Sequence, residues 1–114
     1  MSKPLFIDDL AFKALRAGNL DEFHRHIKDR EVVDFSNTDL RATDFRNADL
    51  SKIVLRDAYL RDADLSGCDL RHVDLEGASL HNAKIAGAYF QKNLPTGEIR
   101  MSLKHGTRLR TEEQ

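Results

Sequence analysis

Residues 33–92 read, in blocks of five, VDFSN TDLRA TDFRN ADLSK IVLRD AYLRD ADLSG CDLRH VDLEG ASLHN AKIAG AYFQK. In all twelve blocks the third place is a large apolar residue: Phe35, Leu40, Phe45, Leu50, Leu55, Leu60, Leu65, Leu70, Leu75, Leu80, Ile85 and Phe90. The first place holds a small or β-branched residue, from Val33, Thr38 and Thr43 through Cys68 to Ala88. Asp fills seven of the twelve positions between them, which marks that position as outward and polar. The two apolar places are two residues apart, so an extended backbone puts both on one side. Three steps separate the large residue from the next small one, and a turn must intervene there. A helix would need apolar residues three and four apart, which excludes a helical stripe across this segment. One short extended piece and one corner per block describe a coil. A unit this short buries nothing alone, so its stability must come from stacking on its neighbours.

The blocks Ala48-Asp49-Leu50-Ser51-Lys52 and Ala63-Asp64-Leu65-Ser66-Gly67 match an A(D/N)LXX signature, and on them the chain resembles the pentapeptide-repeat family. The resemblance covers a little over half the chain. It implies a mainly β fold, a right-handed quadrilateral parallel β-helix with four blocks per coil and about three coils. The predicted organisation is a helical N-terminal cap over 1–32, the repeat over 33–92, and a short C-terminal helix with a tail over 93–114, all in one folding unit. Phe35 and Phe45 fall in the first coil and Phe90 in the last, where large rings can fill the ends.

Before the repeat the period changes. Ile7, Leu10, Ala11, Ala14 and Leu15 recur at helical spacing, with Asp8 as the expected cap and Gly18 as the stop. Asn19 with Glu22 resembles a capping box, and Leu20, Phe23 and Ile27 form one apolar stripe behind it. Two short helices should therefore cover the open end of the first coil. After the repeat, Pro95 fits a chain leaving a ladder. Thr96 is the expected cap of a short helix ended by Gly106, and Leu94, Ile99, Met101 and Leu103 supply a second lid. Thr107–Gln114 is polar and is expected to be mobile.

The 114 residues suit one domain, and a formal net charge of −1 gives no global bias toward nucleic acid or membrane. Residues 1–32 carry 6 basic and 6 acidic groups, 33–92 carry 8 and 10, and 93–114 carry 4 and 3, so no segment is strongly charged. The single Cys68 takes an inward place where Ala is commonest, and reads as a packed thiol. Neither a signal-like start nor a long apolar run is present, and a reducing, cytoplasmic setting is expected.

Catalytic patterns are missing: there is no glycine-rich phosphate loop, HExxH, paired cysteine or nucleophile elbow. His24 and His26, two apart on an expected helix, point to different sides and suit a metal poorly. The family's four-sided geometry would likewise put His72 and His81 on different sides. The repeated Asp residues need only solvation and local backbone bonding to explain them. The expectation is a non-enzymatic protein with no catalytic residue, metal or cofactor.

Four-block stacking, taken from the resemblance, aligns Asp34, Val54 and Asp74 in one column and Asp39, Tyr59 and Ser79 in the next. Val54 and Tyr59 thus replace Asp in two successive blocks, beside a column of Arg41, Arg61 and His81. An aromatic and apolar spot among basic groups has the composition of a protein contact centre, and these five residues are the interaction candidates. Single exposed apolar residues are ordinary, and Arg stems can cover them with no partner involved. Tyr89 is a second outward aromatic that can meet the C-terminal lid.

The sequence therefore points to a module that binds an unidentified protein. Two alternatives stand beside it. Well-known members of the family mimic DNA and bind DNA gyrase with a long acidic prism. Here the stack is shorter and Arg41, Arg46, Arg56, Arg61 and Arg71 interleave with the Asp residues, which argues against that subgroup and against nucleic-acid binding. The other alternative is a homodimer formed through the C-terminal segment, as in some family members.

Overall fold

A hydrogen-bonded turn closes each block. In the computed structural model, which describes residues 3–112, the carbonyl of each large residue from Phe35 to Ile85 accepts from the N–H three residues on: Phe35 from Thr38 at 3.3 Å, Leu60 from Ala63 at 3.0 Å, Leu75 from Ala78 at 3.0 Å. The residue before each small one then needs positive φ, as the third place of a type II turn does. Asn37, Asn47, Asp57, Asp62 and Asn82 adopt it with φ between 58° and 66°, and Gly67, Gly77 and Gly87 with φ between 71° and 77°. These are the residue types that tolerate the left-handed region. Ala42, at φ 56°, is the exception. Lys52 and His72 are not among the positive-φ residues, yet the same bond closes their corner, Ile53 to Leu50 and Val73 to Leu70, each at 3.2 Å.

Asp at the outward position has a defined task. All seven (Asp34, Asp39, Asp44, Asp49, Asp64, Asp69 and Asp74) accept a bond at Oδ1 from the backbone N–H two residues on, at 2.9–3.1 Å. The side chain thus satisfies a turn N–H that the short extended piece leaves unpaired.

Blocks twenty residues apart meet through single parallel bridges, among them Asp39 with Tyr59, Tyr59 with Ser79, Asp44 with Asp64 and then Lys84, and Asp69 with Tyr89. Only one pairing lengthens into a sheet, where β1 (Val33–Asp34) lies parallel to β2 (Ile53–Val54). The expectation of a mainly β fold, a right-handed quadrilateral β-helix of about three coils, is corrected on this point. Strand is limited to two pieces of two residues in one open sheet, and three helices of 7, 8 and 10 residues outweigh it. The physical reason is the turn itself. A corner every five residues keeps each extended piece to about two residues, so the backbone bonds between blocks fall on either side of a single bridge and the blocks join as bridged turns.

Packing follows the repeat. Phe35, Leu40, Phe45, Leu55, Leu60, Leu65, Leu70, Leu75 and Leu80 are fully buried, and each such side chain contributes about 1.5–3 kcal/mol relative to exposure. Ala58, Ala63 and Ala78 fill the small places between them. The last blocks are less covered: Ala83, Ile85, Ala88 and Phe90 are only partly buried.

At the N-terminal end, α1 (Leu10–Arg16) and α2 (Leu20–Ile27) close the core. The cap of α1 is Asp9, one residue beyond the expected Asp8. Its carboxylate accepts from Ala11 and Phe12 and also pairs with Arg30 at 2.8 Å. Asn19 caps α2 as expected, by accepting from the Glu22 N–H at 3.2 Å. The Phe12 ring meets Phe35 edge-on with centroids 5.4 Å apart. Lys52 reaches the carbonyl end of α2 and donates to Ile27 at 2.8 Å and Arg30 at 2.9 Å, which satisfies carbonyls that a helix end leaves open.

At the other end, α3 (Thr96–His105) follows Pro95, which takes the cap position without a side-chain bond, so Thr96 is the first helical residue and not the cap. Gly106, at φ 72°, ends it as expected. Its one buried residue is Ser102, whose hydroxyl oxygen accepts from the Leu80 N–H at 2.8 Å. Met101, expected in the lid, instead faces solvent at 48% exposure. The segment after Gly106 is not loose. Arg108 forms an antiparallel bridge to Ser79, Leu109 is fully buried, and Glu112 donates its N–H to the Asn93 carbonyl at 2.7 Å. Glu113 and Gln114 lie outside the described residues. No helix among the described residues is long and apolar enough to cross a membrane.

Candidate functional site

Tyr59 sits between Ala58 and Leu60, both fully buried, so the pleat turns its side chain outward. Its backbone is bridged on one side to Asp39 and on the other to Ser79, and the next chain in that column is the C-terminal segment at Arg108. Ser79 holds the approach of this segment by donating its hydroxyl to the Gly106 carbonyl at 3.0 Å. His81 lies directly beneath Gly106, where a Cβ would come within 3.1 Å of the imidazole Nδ1.

Arg108 is then laid over Tyr59. One guanidinium nitrogen donates to the Gly77 carbonyl at 2.8 Å and another to the Tyr59 hydroxyl at 3.0 Å. Its central carbon stands 5.2 Å from the ring centroid, a cation–π distance. Asp57 is 3.9 Å away, too far for a close pair. Between this column and α3 opens a cleft of about 640 Å³. Tyr59 and Ser79 line it from the repeat, Glu98 and Met101 from α3, and Gly106, Thr107, Arg108 and Arg110 from the segment that follows. Glu98 accepts from the Arg110 N–H at 3.0 Å.

The other candidates from the sequence do not line this cleft. Val54 is half-buried in the neighbouring column, bridged to Asp34 and Asp74. Arg41 grips Asp39 through two nitrogens, at 3.0 and 2.6 Å, and Asp39 is only 2% exposed. That bond holds the Arg41 guanidinium above its ordinary value and the Asp39 carboxyl below its own. Arg61 is exposed, with Asp62 at 3.7 Å. Tyr89 lies under Arg71 at 5.3 Å and not against α3. Sequence reasoning missed Met101 as a surface group and Arg108 altogether. The available signal was Leu109, an apolar residue inside a polar tail.

A second cleft of about 550 Å³ lies at the N-terminal end, where Phe6, Ile7, Phe12 and Arg16 meet. Its cations are already engaged, Lys13 with Asp8 and Arg16 over the Phe6 ring at 4.6 Å.

Ser79 spends its proton on a backbone carbonyl and faces no base there. Cys68 is buried, its Sγ lies 3.4 Å from the Phe45 carbonyl, and burial pushes its pKa up to about 11. Among the described residues no three His, Cys, Asp or Glu side chains converge on a metal position. Six outward carboxylates are held below their ordinary value. The first cause in Asp34, Asp39, Asp44, Asp49, Asp64 and Asp69 is a bond from the side chain two residues on, and the turn N–H adds to it.

No curated protein and no solved structure matches the chain. A family model described as pentapeptide repeats does match, in eight copies, over residues 33–57 and 58–92. That span is more than half of the 114 residues and coincides with the bridged turns. Members of that family are generally not enzymes, and their repeats serve in protein interaction or as structure. By its turns, its outward Asp residues and this match, the chain belongs to the pentapeptide-repeat family.

Proposed function

We propose that this chain is a non-enzymatic protein-interaction module that holds its partner in the cleft between Tyr59 and α3, with Val54, Arg41, Arg61 and His81 on the surrounding surface. The carrying observation is that a repeat position given to Asp in seven of the twelve blocks is given to Tyr59, which lines an open cleft together with exposed Met101. Aromatic and flexible apolar groups with an Arg beside them are the side chains that anchor interfaces. The reduced, buried Cys68 suits a cytoplasmic setting. The test is photo-crosslinking in cells from a probe placed at Met101 and, separately, at Arg46. We expect one discrete adduct from Met101, lost with Tyr59→Ala, and none from Arg46. Equal adducts from both positions would refute the cleft as the binding site.

A second reading, homotypic assembly, draws on the partly buried Ala83, Ile85, Ala88 and Phe90 beside α3. A second copy could complete their burial. Sedimentation equilibrium decides it, since a monomer at 100 µM would remove this reading.

A further inference from the structure

We propose that the occupant of the Tyr59 cleft is an acidic segment of a protein, extended and carrying at least one apolar side chain. This rests on the cleft being the binding site. Elsewhere on the repeat, guanidinium groups close on carboxylates: Arg46 with Asp44 at 2.8 Å, Arg71 with Asp69 at 2.8 Å and Arg56 with Asp74 at 3.0 Å. The two arginines that line the cleft, and Arg61 outside it, do not. Arg108 stands 3.9 Å from Asp57, Arg61 stands 3.7 Å from Asp62, and Arg110 closes on no carboxylate among the described residues. The one acid in the lining, Glu98, is committed to a backbone N–H. Arg61 and Arg110 thus keep planar donor sets for carboxylates, the partner to which that fork is matched, and Arg108, whose nitrogens already serve the Gly77 carbonyl and the Tyr59 hydroxyl, adds positive charge with no carboxylate closer than 3.9 Å. Met101 and the Tyr59 ring supply an apolar floor that carboxylates alone would leave unused.

A nucleic-acid backbone fits less well. It would need a long basic track, whereas the chain's net charge is −1 and its flanking columns carry Asp at most outward places. A peptide meets the three cations locally and avoids that field.

The experiment is fluorescence anisotropy with three labelled peptides, alternating Glu-Leu, Gln-Leu and Lys-Leu, and an oligothymidine strand. Each is titrated with the intact protein and followed by amide shifts in NMR spectra. We expect the Glu-Leu peptide to bind best, to weaken about tenfold with Arg110→Glu, and to weaken as salt rises. Arg110 is exposed, with its backbone N–H on Glu98 and its charge acting on Glu76, so the variant's Tm is measured beside the parent's to separate lost binding from lost fold. Arg61→Glu gives a second, independent loss. Shifts at Tyr59, Met101 and Arg110 place the peptide. If Gln-Leu or Lys-Leu binds at those residues as tightly, the acidic occupant is wrong and the cleft stands. If Glu-Leu moves only residues near Phe6 and Arg16, the cleft itself is wrong. Tighter binding of oligothymidine, or silence from all peptides, also overturns the acidic occupant.

Discussion

Replacing Ala42 with glycine should stabilise this protein, although glycine normally weakens ordered backbone. Ala42 occupies the left-handed turn position at φ 56°, where its counterparts are Asn, Asp or Gly. A residue with a Cβ there costs about 1–2 kcal/mol, and glycine removes that cost. Glycine gives back about 0.4–1 kcal/mol through the greater freedom of the unfolded chain. Ala42 is exposed, so no core contact is lost with its methyl group. The net gain is about 0.5–1 kcal/mol, which for a domain of this size raises Tm by about 3–6 °C. Gly87→Ala is the mirror test: φ is 72° and the nearest heavy atom to a new Cβ is 3.8 Å away, so only backbone strain is added and Tm should fall by a similar amount. Gly77→Ala should fall at least as far, since its Cβ would come within 1.8 Å of Asp57 Oδ1 and displace that side chain. Thermal unfolding followed by circular dichroism ranks the four proteins. A lower Tm for Ala42→Gly together with a higher one for Gly87→Ala would refute the turn assignment on which the whole repeat rests.

Acid should unfold the chain through its repeat carboxylates. The folded pKa values of Asp34, Asp44, Asp49 and Asp64 lie below the ordinary 3.8, so their stabilisation is complete above that value and drains as pH falls beneath it. Tm should hold steady from pH 7 to 5 and drop below about pH 4, and a midpoint insensitive to acid would contradict this. Ser102→Ala leaves the buried Leu80 N–H without an acceptor and should cost about 1–3 kcal/mol in chemical denaturation, while a loss below 0.5 kcal/mol would show that water takes its place. In a supercoiling assay the protein should leave DNA gyrase active at micromolar concentration, because its carboxylates are bound by Arg and backbone N–H groups; dose-dependent inhibition would reverse that reading.

What the sequence made legible was the repeat and its inside. Leu65 and Leu70 were placed in the core by spacing alone, and both are fully buried. Asn19 and Gly106 were read as helix punctuation because their chemistry is local, and both act so. Strand content was not legible. Spacing of two within a block looks extended whether the run lasts long enough to build a ladder or, as here, meets a turn after two residues. Asp8 and Asp9 offer the same cap, and only the reach of Arg30 from the far end of α2 favours Asp9. The binding surface was half legible. Tyr59 stood out as a departure from the repeat, but Arg108 lies 49 residues further on and meets it only when the tail docks.

The outward Asp residues show why departures from the repeat carry the functional weight. Each is already committed to the N–H two residues on, and most also engage a side chain there. A carboxylate so occupied is a poor acid, base or ligand for a partner, because any new bond must first break one that closes a turn. Tyr59 carries no such duty to its own turn, and neither does Met101 on α3. A position whose side chain is not tied to its own turn N–H can be given to recognition, and the tail that lays Arg108 on Tyr59 then fixes the direction the ring presents. Tyr59→Phe separates these roles, since it keeps the ring and removes only the bond from Arg108. We expect it to retain the Met101 crosslink at reduced yield, and Tyr59→Ala to abolish it. Equal yields from both variants would mean that the ring contributes nothing to the contact.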